Sequence, residues 1–328
     1  METNAKSGGR RTIKPYTTTK VRYKSEEWYT ERQKGIGGSE ASSIAGLNPY
    51  SSAFSVYYRK VNGQKETDRQ ENEAMRQGTD FENYVRRRFC EETGKEVRTV
   101  RYMLKSKQHP FMLADIDGFI DAENAILECK TTVNRDRYTF EGNDYPMMYH
   151  VQCLHYMAVT GASRAYIAVL HFGTGFYIIQ IDRGDVENEI NSLSEIEQRF
   201  WEENVRKEIP PAPTGNETDK KIVTEMYPSG NSDAPAVSLE ELSPKLGRLS
   251  RIKQEIADLE KEKDEIENEL KLKMGEATEG VADGYKISWK EYSTIRLDTA
   301  ALKKEMPDIY GKYSKETKSR RFLFKQKG

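Results

Sequence analysis

Asp117, Glu128 and Lys130 are the residues of this 328-residue chain whose types and spacing best suit chemistry. Asp117 lies in the apolar run Leu113-Ala114-Asp115-Ile116-Asp117-Gly118-Phe119, and Glu128-Cys129-Lys130 lies in the next one, with Ala122-Glu123-Asn124 as the turn between them. Residues two apart leave a strand on the same face, so Glu128 and Lys130 point together and Asp117 meets them across a hairpin. Two carboxylates and an ammonium at the inner end of apolar strands cost desolvation energy unless something pairs them, and a divalent cation is the usual remedy. Oxygen donors of this kind suit Mg²⁺, or Mn²⁺, rather than zinc. Lys130 would then orient a water beside the metal, or lower its pKa, for attack on a phosphodiester. The rival reading of such an acidic–apolar–basic triplet is a surface salt bridge.

Three further groups surround this trio. Glu82, in Gly78-Thr79-Asp80-Phe81-Glu82-Asn83-Tyr84-Val85, sits at the edge of a helical apolar stripe, where it can reach the same site or stay solvated. Gln152 and Tyr156 are four apart on a predicted helix and so share one face. Upstream, Arg32-x-x-Gly35-Ile36-Gly37-Gly38-Ser39-Glu40-Ala41 places a glycine-rich turn before a helix, whose free N–H groups favour anions; Ser39 also reads as a plain N-cap. The four histidines, His109, His150, His155 and His171, have no metal-ligand spacing and read as packed or solvated.

The D-x10-E-x-K pattern, Asp117 to Glu128-Cys129-Lys130, is similar to the signature of the P-D-(D/E)-x-K nuclease superfamily, with Ile116 standing where the proline would be. Taken with Gln152-x-x-x-Tyr156 and the Arg32–Ala41 motif, all in order between Trp28 and Trp201, the chain resembles the YqaJ-type viral recombinase and phage lambda exonuclease family. The resemblance implies a restriction-endonuclease-like α/β core and a metal-dependent 5′-to-3′ exonuclease on linear double-stranded DNA, leaving 3′ single strands for recombination. It makes Asp117 and Glu128 metal ligands with the Cys129 backbone carbonyl as a third, Lys130 the water-positioning group, and Glu82 a holder of a second metal. Arg32 and Ser39 would grip the 5′ phosphate, while Gln152 and Tyr156 steady the site. A trimeric homo-oligomer around duplex DNA and a single-strand annealing protein as partner are implied as well. Alternatives are another nuclease of the superfamily, of restriction or CRISPR-adaptation type, and a non-catalytic DNA-binding or adaptor protein.

The elements that must position these residues read as strands flanked by helices, an α/β class with a central mixed sheet. Helices are predicted at 41–47, with Ser39 as cap, at 53–61, over about 20 residues to Thr93, at 145–160 and at 185–207. Strands are predicted at 97–104, 111–121, 125–131, 165–170 and 175–181. The chain divides into a flexible basic arm (1–24), the nuclease domain (25–209), a proline-rich linker (210–237), a long coiled-coil-like helix (238–279) and a small basic α+β module (280–328). In the last, strands are predicted at 285–292 and 319–325 with a short helix at 299–305.

Composition narrows the class. Three cysteines, Cys90, Cys129 and Cys153, without a C-x-x-C pair argue against disulfide, zinc and iron–sulfur frameworks. The net charge of −1 hides an uneven distribution: residues 1–62 carry 11 Lys/Arg against 5 Asp/Glu, residues 185–228 carry 5 against 11, and the chain from Pro307 carries 7 against 2. Basic flanks suit a phosphate backbone and equally suit solvated faces. No run is apolar enough for a membrane helix, and a cytoplasmic location is expected.

Overall fold

In a computed structural model, residues 14–63, 73–133, 137–316 and 319–325 are described, and the chain divides into two compact units, Met1–Met226 and Tyr227–Gly328. The first unit is built on two four-stranded sheets. One has the order β1-β3-β4-β2: β1 (Tyr16–Arg22) runs antiparallel to β3 (Tyr102–Ser106), which is antiparallel to β4 (Met112–Ala114), which is parallel to the two-residue β2 (Ile36–Gly37). The other has the order β5-β6-β7-β8: β5 (Gly118–Ile120) and β6 (Ala125–Thr132) form an antiparallel hairpin, β6 is parallel to β7 (Arg164–His171), and β8 (Gly175–Asp182) returns antiparallel. This is the mixed sheet that the sequence predicts.

Period-two burial explains how this sheet is covered. Ile126 of β6 and Ala165, Ile167 and Val169 of β7 join the core that includes α5 (Met147–Thr160) and α6 (Arg183–Arg199). Their neighbours Leu127, Tyr166, Ala168 and Leu170 face Val85 and Phe89 of α4 (Glu73–Thr93) on the opposite side. The β6-α5-β7 crossover thereby sets α5 against the face that carries Ile126, Glu128 and Lys130. Two short helices, α1 (Glu26–Arg32) and α2 (Gly38–Ile44), and α3 (Ala53–Asn62) complete the α5 side.

Several expected boundaries move. The single strand expected at 111–121 is two strands in different sheets, because Asp115-Ile116-Asp117 carries the chain from one sheet to the other, with Ile116 buried and Asp115 accepting from the Trp28 indole N–H at 3.0 Å. The basic arm expected over 1–24 contains β1: its β-branched and aromatic residues pair with β3, and Lys and Arg suit the exposed edge. Residues 1–13 and 64–70 lie outside the described residues. Within the linker expected at 210–237, α7 (Glu217–Met226) packs on α3, burying Ile222 and Asp219. The strand expected at 97–104 begins only at Tyr102, Arg98 making an isolated bridge to Phe119. The helix expected at 185–207 passes at Phe200 into a π-helical turn, Phe200–Val205.

The second unit consists of α8 (Ser243–Met274), a hairpin of β9 (Glu279–Ala282) and β10 (Tyr285–Ser288), α9 (Thr299–Glu305) and α10 (Pro307–Tyr313). Asp283-Gly284 closes the hairpin, Gly284 taking φ +75°, which only a residue without Cβ adopts freely. No strand forms at 319–325. None of the described side chains here is fully buried. Among the described residues no helix is long and apolar enough to cross a membrane.

Candidate active site

The strand β6 leaves its antiparallel partner after Leu127, where β5 begins, and its next residues face an open edge. Asp117 occupies that edge. Its Oδ2 accepts from the Cys129 backbone N–H at 2.7 Å, standing in for the missing ladder bond. A residue's N–H and C=O leave a strand on the same side. The Cys129 carbonyl therefore also points to the edge where Asp117 lies.

On the α5 face, Lys130 Nζ donates to Glu128 Oε1 at 2.6 Å and to Gln152 Oε1 at 2.9 Å. The Gln152 amide closes the loop by donating to the same Glu128 oxygen at 2.7 Å and lies 3.0 Å from the Tyr156 hydroxyl. The other Glu128 oxygen, Oε2, is buried without a hydrogen-bond partner among the described residues. Lys130 also lies 5.1 Å from the Tyr149 ring centre. Glu82 is near enough to be felt by Asp117; Arg86, one turn along α4, bonds Glu82 at 3.2 Å and the Asp117 carbonyl at 2.6 Å.

Burial, then the charges of Glu128 and Glu82, push the Asp117 carboxyl well above its ordinary pKa. Burial also raises Glu128, against the pull of Lys130. For Lys130 burial works downward, but the Glu128 carboxylate outweighs it and holds the ammonium charged. The site thus carries more buried negative charge than its one ammonium balances, and an orphaned carboxylate oxygen, which is what a hard divalent cation would relieve. Among the described residues no three His, Cys, Asp or Glu already converge as a closed ligand set. The donor set that fits is Asp117, Glu128 and the Cys129 carbonyl, with Glu82 at the rim.

Beside Asp117 opens a cleft of about 670 Å³ whose walls include Tyr23, Glu82, Lys20, Arg22, Arg101 and Tyr102. Burial and the carboxylates Glu82 and Asp117 raise the Tyr23 hydroxyl pKa.

The glycine-rich motif meets α5 at the same place. Gly38 packs so closely on Tyr156 and Gln152 that a Cβ there would overlap the Tyr156 ring. Gly37 leaves room for the Arg32 guanidinium, which lies 3.0 Å from the exposed Ser39 hydroxyl. Ser39 is not the N-cap of α2: that position is Gly37, whose N–H donates to Glu40 at 3.0 Å. Glu40 is buried among Lys60 at 2.9 Å, Arg59 at 3.8 Å and Arg32 at 4.0 Å. Burial works to raise its pKa, but Lys60, Arg32 and Arg59 pull it down to about 2. Sequence reasoning passed over Glu40, Arg59 and Lys60; the three-residue step from Gly37 to Glu40 was the signal available for the first.

All eight expected side chains therefore fall into two neighbouring groups bridged by α5: Asp117, Glu128, Lys130, Glu82, Gln152 and Tyr156 in one, Arg32 and Ser39 in the other. Asp115 lines the same cleft as Asp117 and accepts from the Trp28 indole N–H, while Asp121 pairs with Arg98. His155 is fully buried, with Glu197 at 2.8 Å on one ring nitrogen and the Leu113 carbonyl at 2.8 Å on the other, tying α5 to α6 and β4.

Comparison with known proteins places this geometry in a family. The YqaJ-like viral recombinase domain matches residues 27–163. The uncharacterized protein YqaJ of Bacillus subtilis (strain 168) is 35% identical over 303 residues, covering 92% of this chain and 94% of that one. Among solved structures, the alkaline exonuclease LHK-Exo from Laribacter hongkongensis aligns at a TM-score of 0.47 and 20% identity, covering 62% of this chain and 100% of that one. A putative exonuclease from Eubacterium rectale aligns at 0.45 and 13%, covering 68% and 98%. With a relative of that identity matched over nearly its whole length, the chain belongs to the YqaJ-like viral recombinase family.

Proposed function

We propose that the protein is a metal-dependent nuclease that digests linear double-stranded DNA from 5′ ends and leaves 3′ single strands for recombination. The observation that carries the reading is the Glu128–Lys130–Gln152 triangle beside Asp117, with one Glu128 oxygen left without a partner. Asp117, Glu128 and the Cys129 carbonyl would hold Mg²⁺ or Mn²⁺, with Glu82 at the rim. Such an ion, when bound, supplies positive charge to a phosphodiester and makes water more acidic.

The chain's own residues supply the rest. Lys130, kept protonated by Glu128 and aimed by Gln152, orients the attacking water and meets the charge that builds on the phosphate. Tyr156 holds the Gln152 amide in place, and Gly38 brings the Arg32–Ser39 pair against the same helix. The exposed Ser39 hydroxyl backed by the Arg32 guanidinium suits a terminal 5′ phosphate. Lys20, Arg22 and Arg101 along the cleft suit the polyanionic backbone. Family membership supports the recombination role, a trimeric assembly and a single-strand annealing partner.

Linear duplex labelled on each strand in turn, incubated with Mg²⁺, tests this reading. Nucleotide release from the 5′-ended strand is expected, lost in Asp117→Ala and Lys130→Ala, with closed circles untouched. No release, or release that both variants retain, ends the proposal. Equal rates on 5′-phosphate and 5′-hydroxyl ends would remove the role given to Arg32 and Ser39.

A further inference from the structure

The helix α8 is 32 residues long and none of its side chains is buried. Its apolar residues follow a heptad: Leu249, Ile256 and Leu270 occupy one seam position, with Lys263 in the same series, and Ile252, Leu259 and Ile266 occupy the other. Leu249 and Ile252 are half covered. Beyond them the seam is open: Ile256, Leu259, Ile266 and Leu270 are 49%, 64%, 53% and 40% exposed. A stripe of that kind on a stable long helix is built to receive another helix.

Charge says which kind. In the open stretch every position that flanks the seam is glutamate: Glu255, Glu260, Glu262, Glu267 and Glu269. Arg248 pairs with Glu255 at 2.9 Å and Lys271 with Glu267 at 3.1 Å, both exposed along the same helix, and these leave three of the five without a described ion pair. Two parallel copies would set Glu255 opposite Glu260 and Glu262 opposite Glu267. An antiparallel pair matches like flanks with like, again glutamate with glutamate. Within the open stretch, self-pairing therefore sets these glutamates against one another in either orientation, and Lys263 adds a cation to the seam.

We propose that this seam docks an amphipathic helix of a different protein, one with lysine or arginine at its flanking positions and a carboxylate in the layer that meets Lys263. The five glutamates give the surface its choice of partner, and the four exposed aliphatic side chains give it affinity.

The full-length protein tests this with two labelled synthetic helices that share leucine and isoleucine at the seam, one flanked by lysine and the other by glutamate. The lysine-flanked helix is expected to bind roughly ten-fold or more tightly than its counterpart at low salt. A variant combining E255K, E260K, E262K, E267K and E269K should reverse that preference. Ile266→Asp should abolish binding of both while leaving the helical circular dichroism unchanged. Equal binding of the two helices overturns the proposal. So does failure of both to bind, since the rest of the chain would then cover the seam. An oligomer seen by sedimentation that Ile266→Asp dissociates also overturns it, because the occupant would be a second copy.

Discussion

Lys130 is held by two acceptors that are themselves joined, so its ammonium has one position relative to Asp117. Lys130→Ala should lower kcat by roughly 10²- to 10⁴-fold with little change in KM, measured by nucleotide release. Gln152→Ala should cost less, since Glu128 still fixes the lysine. Asp117 makes a second prediction. Its carboxyl is raised by burial and by Glu128 and Glu82, so its contribution to stability is full below the ordinary carboxylate pKa and is lost as pH rises through the raised folded value. In metal-free buffer, Asp117→Asn should therefore raise the Tm at alkaline pH and flatten its dependence on pH, and Mg²⁺ should stabilise the parent more than the variant. A lower Tm for the variant under those conditions would contradict the electrostatic account. Glu40 has the opposite sign: held down from 4.5 to about 2, it stabilises above the ordinary value and loses that contribution as pH falls through the folded one.

At the scale of elements, α5 is the piece on which the site depends. It carries Gln152 and Tyr156, lies against β6 and receives Gly38 of α2. Its orientation is fixed by the buried His155 between Glu197 and the Leu113 carbonyl. Burial works to lower the pKa of that imidazole, but Glu197 more than compensates and raises it. A comparable anchor holds α3: Asp219 of α7 accepts from the Ser52 hydroxyl at 2.7 Å, while Ser52 itself caps α3, and from the Thr214 N–H at 2.6 Å. Because this carboxylate is fully buried, Asp219→Ala should cost about 1–3 kcal/mol, read from urea denaturation, by stranding those donors. Since α3 carries Arg59 and Lys60, the loss should also loosen the Glu40 cluster.

For the whole molecule, the division after Met226 makes residues 1–226 the unit that carries the candidate active site. A chain ending at Met226 should unfold in one transition by calorimetry and retain DNA digestion. Ending it at Ile209 removes α7 and Asp219 and should lower the midpoint by several degrees. The second unit has no fully buried side chain among its described residues, so its stability should depend on what it binds, and the full chain should show a separate, earlier transition.

The grouping of the candidate site residues was legible in the sequence where local periodicity governs it. A two-residue step on β6 puts Glu128 and Lys130 together, and a four-residue step on α5 does the same for Gln152 and Tyr156. Family motifs added Arg32 and Ser39. What the sequence could not show was set by contacts between distant segments: the break at Asp115–Asp117, where one apolar run feeds two sheets; the pairing of β1 with β3 across some 80 residues; and the helix α7 inside a proline-rich stretch, stabilised by Ser52. Burial of Glu40 among three cations belongs to the same class. Periodicity records which face of an element is apolar, but pairing and charge compensation between elements far apart in the chain are decided only when packing brings them together.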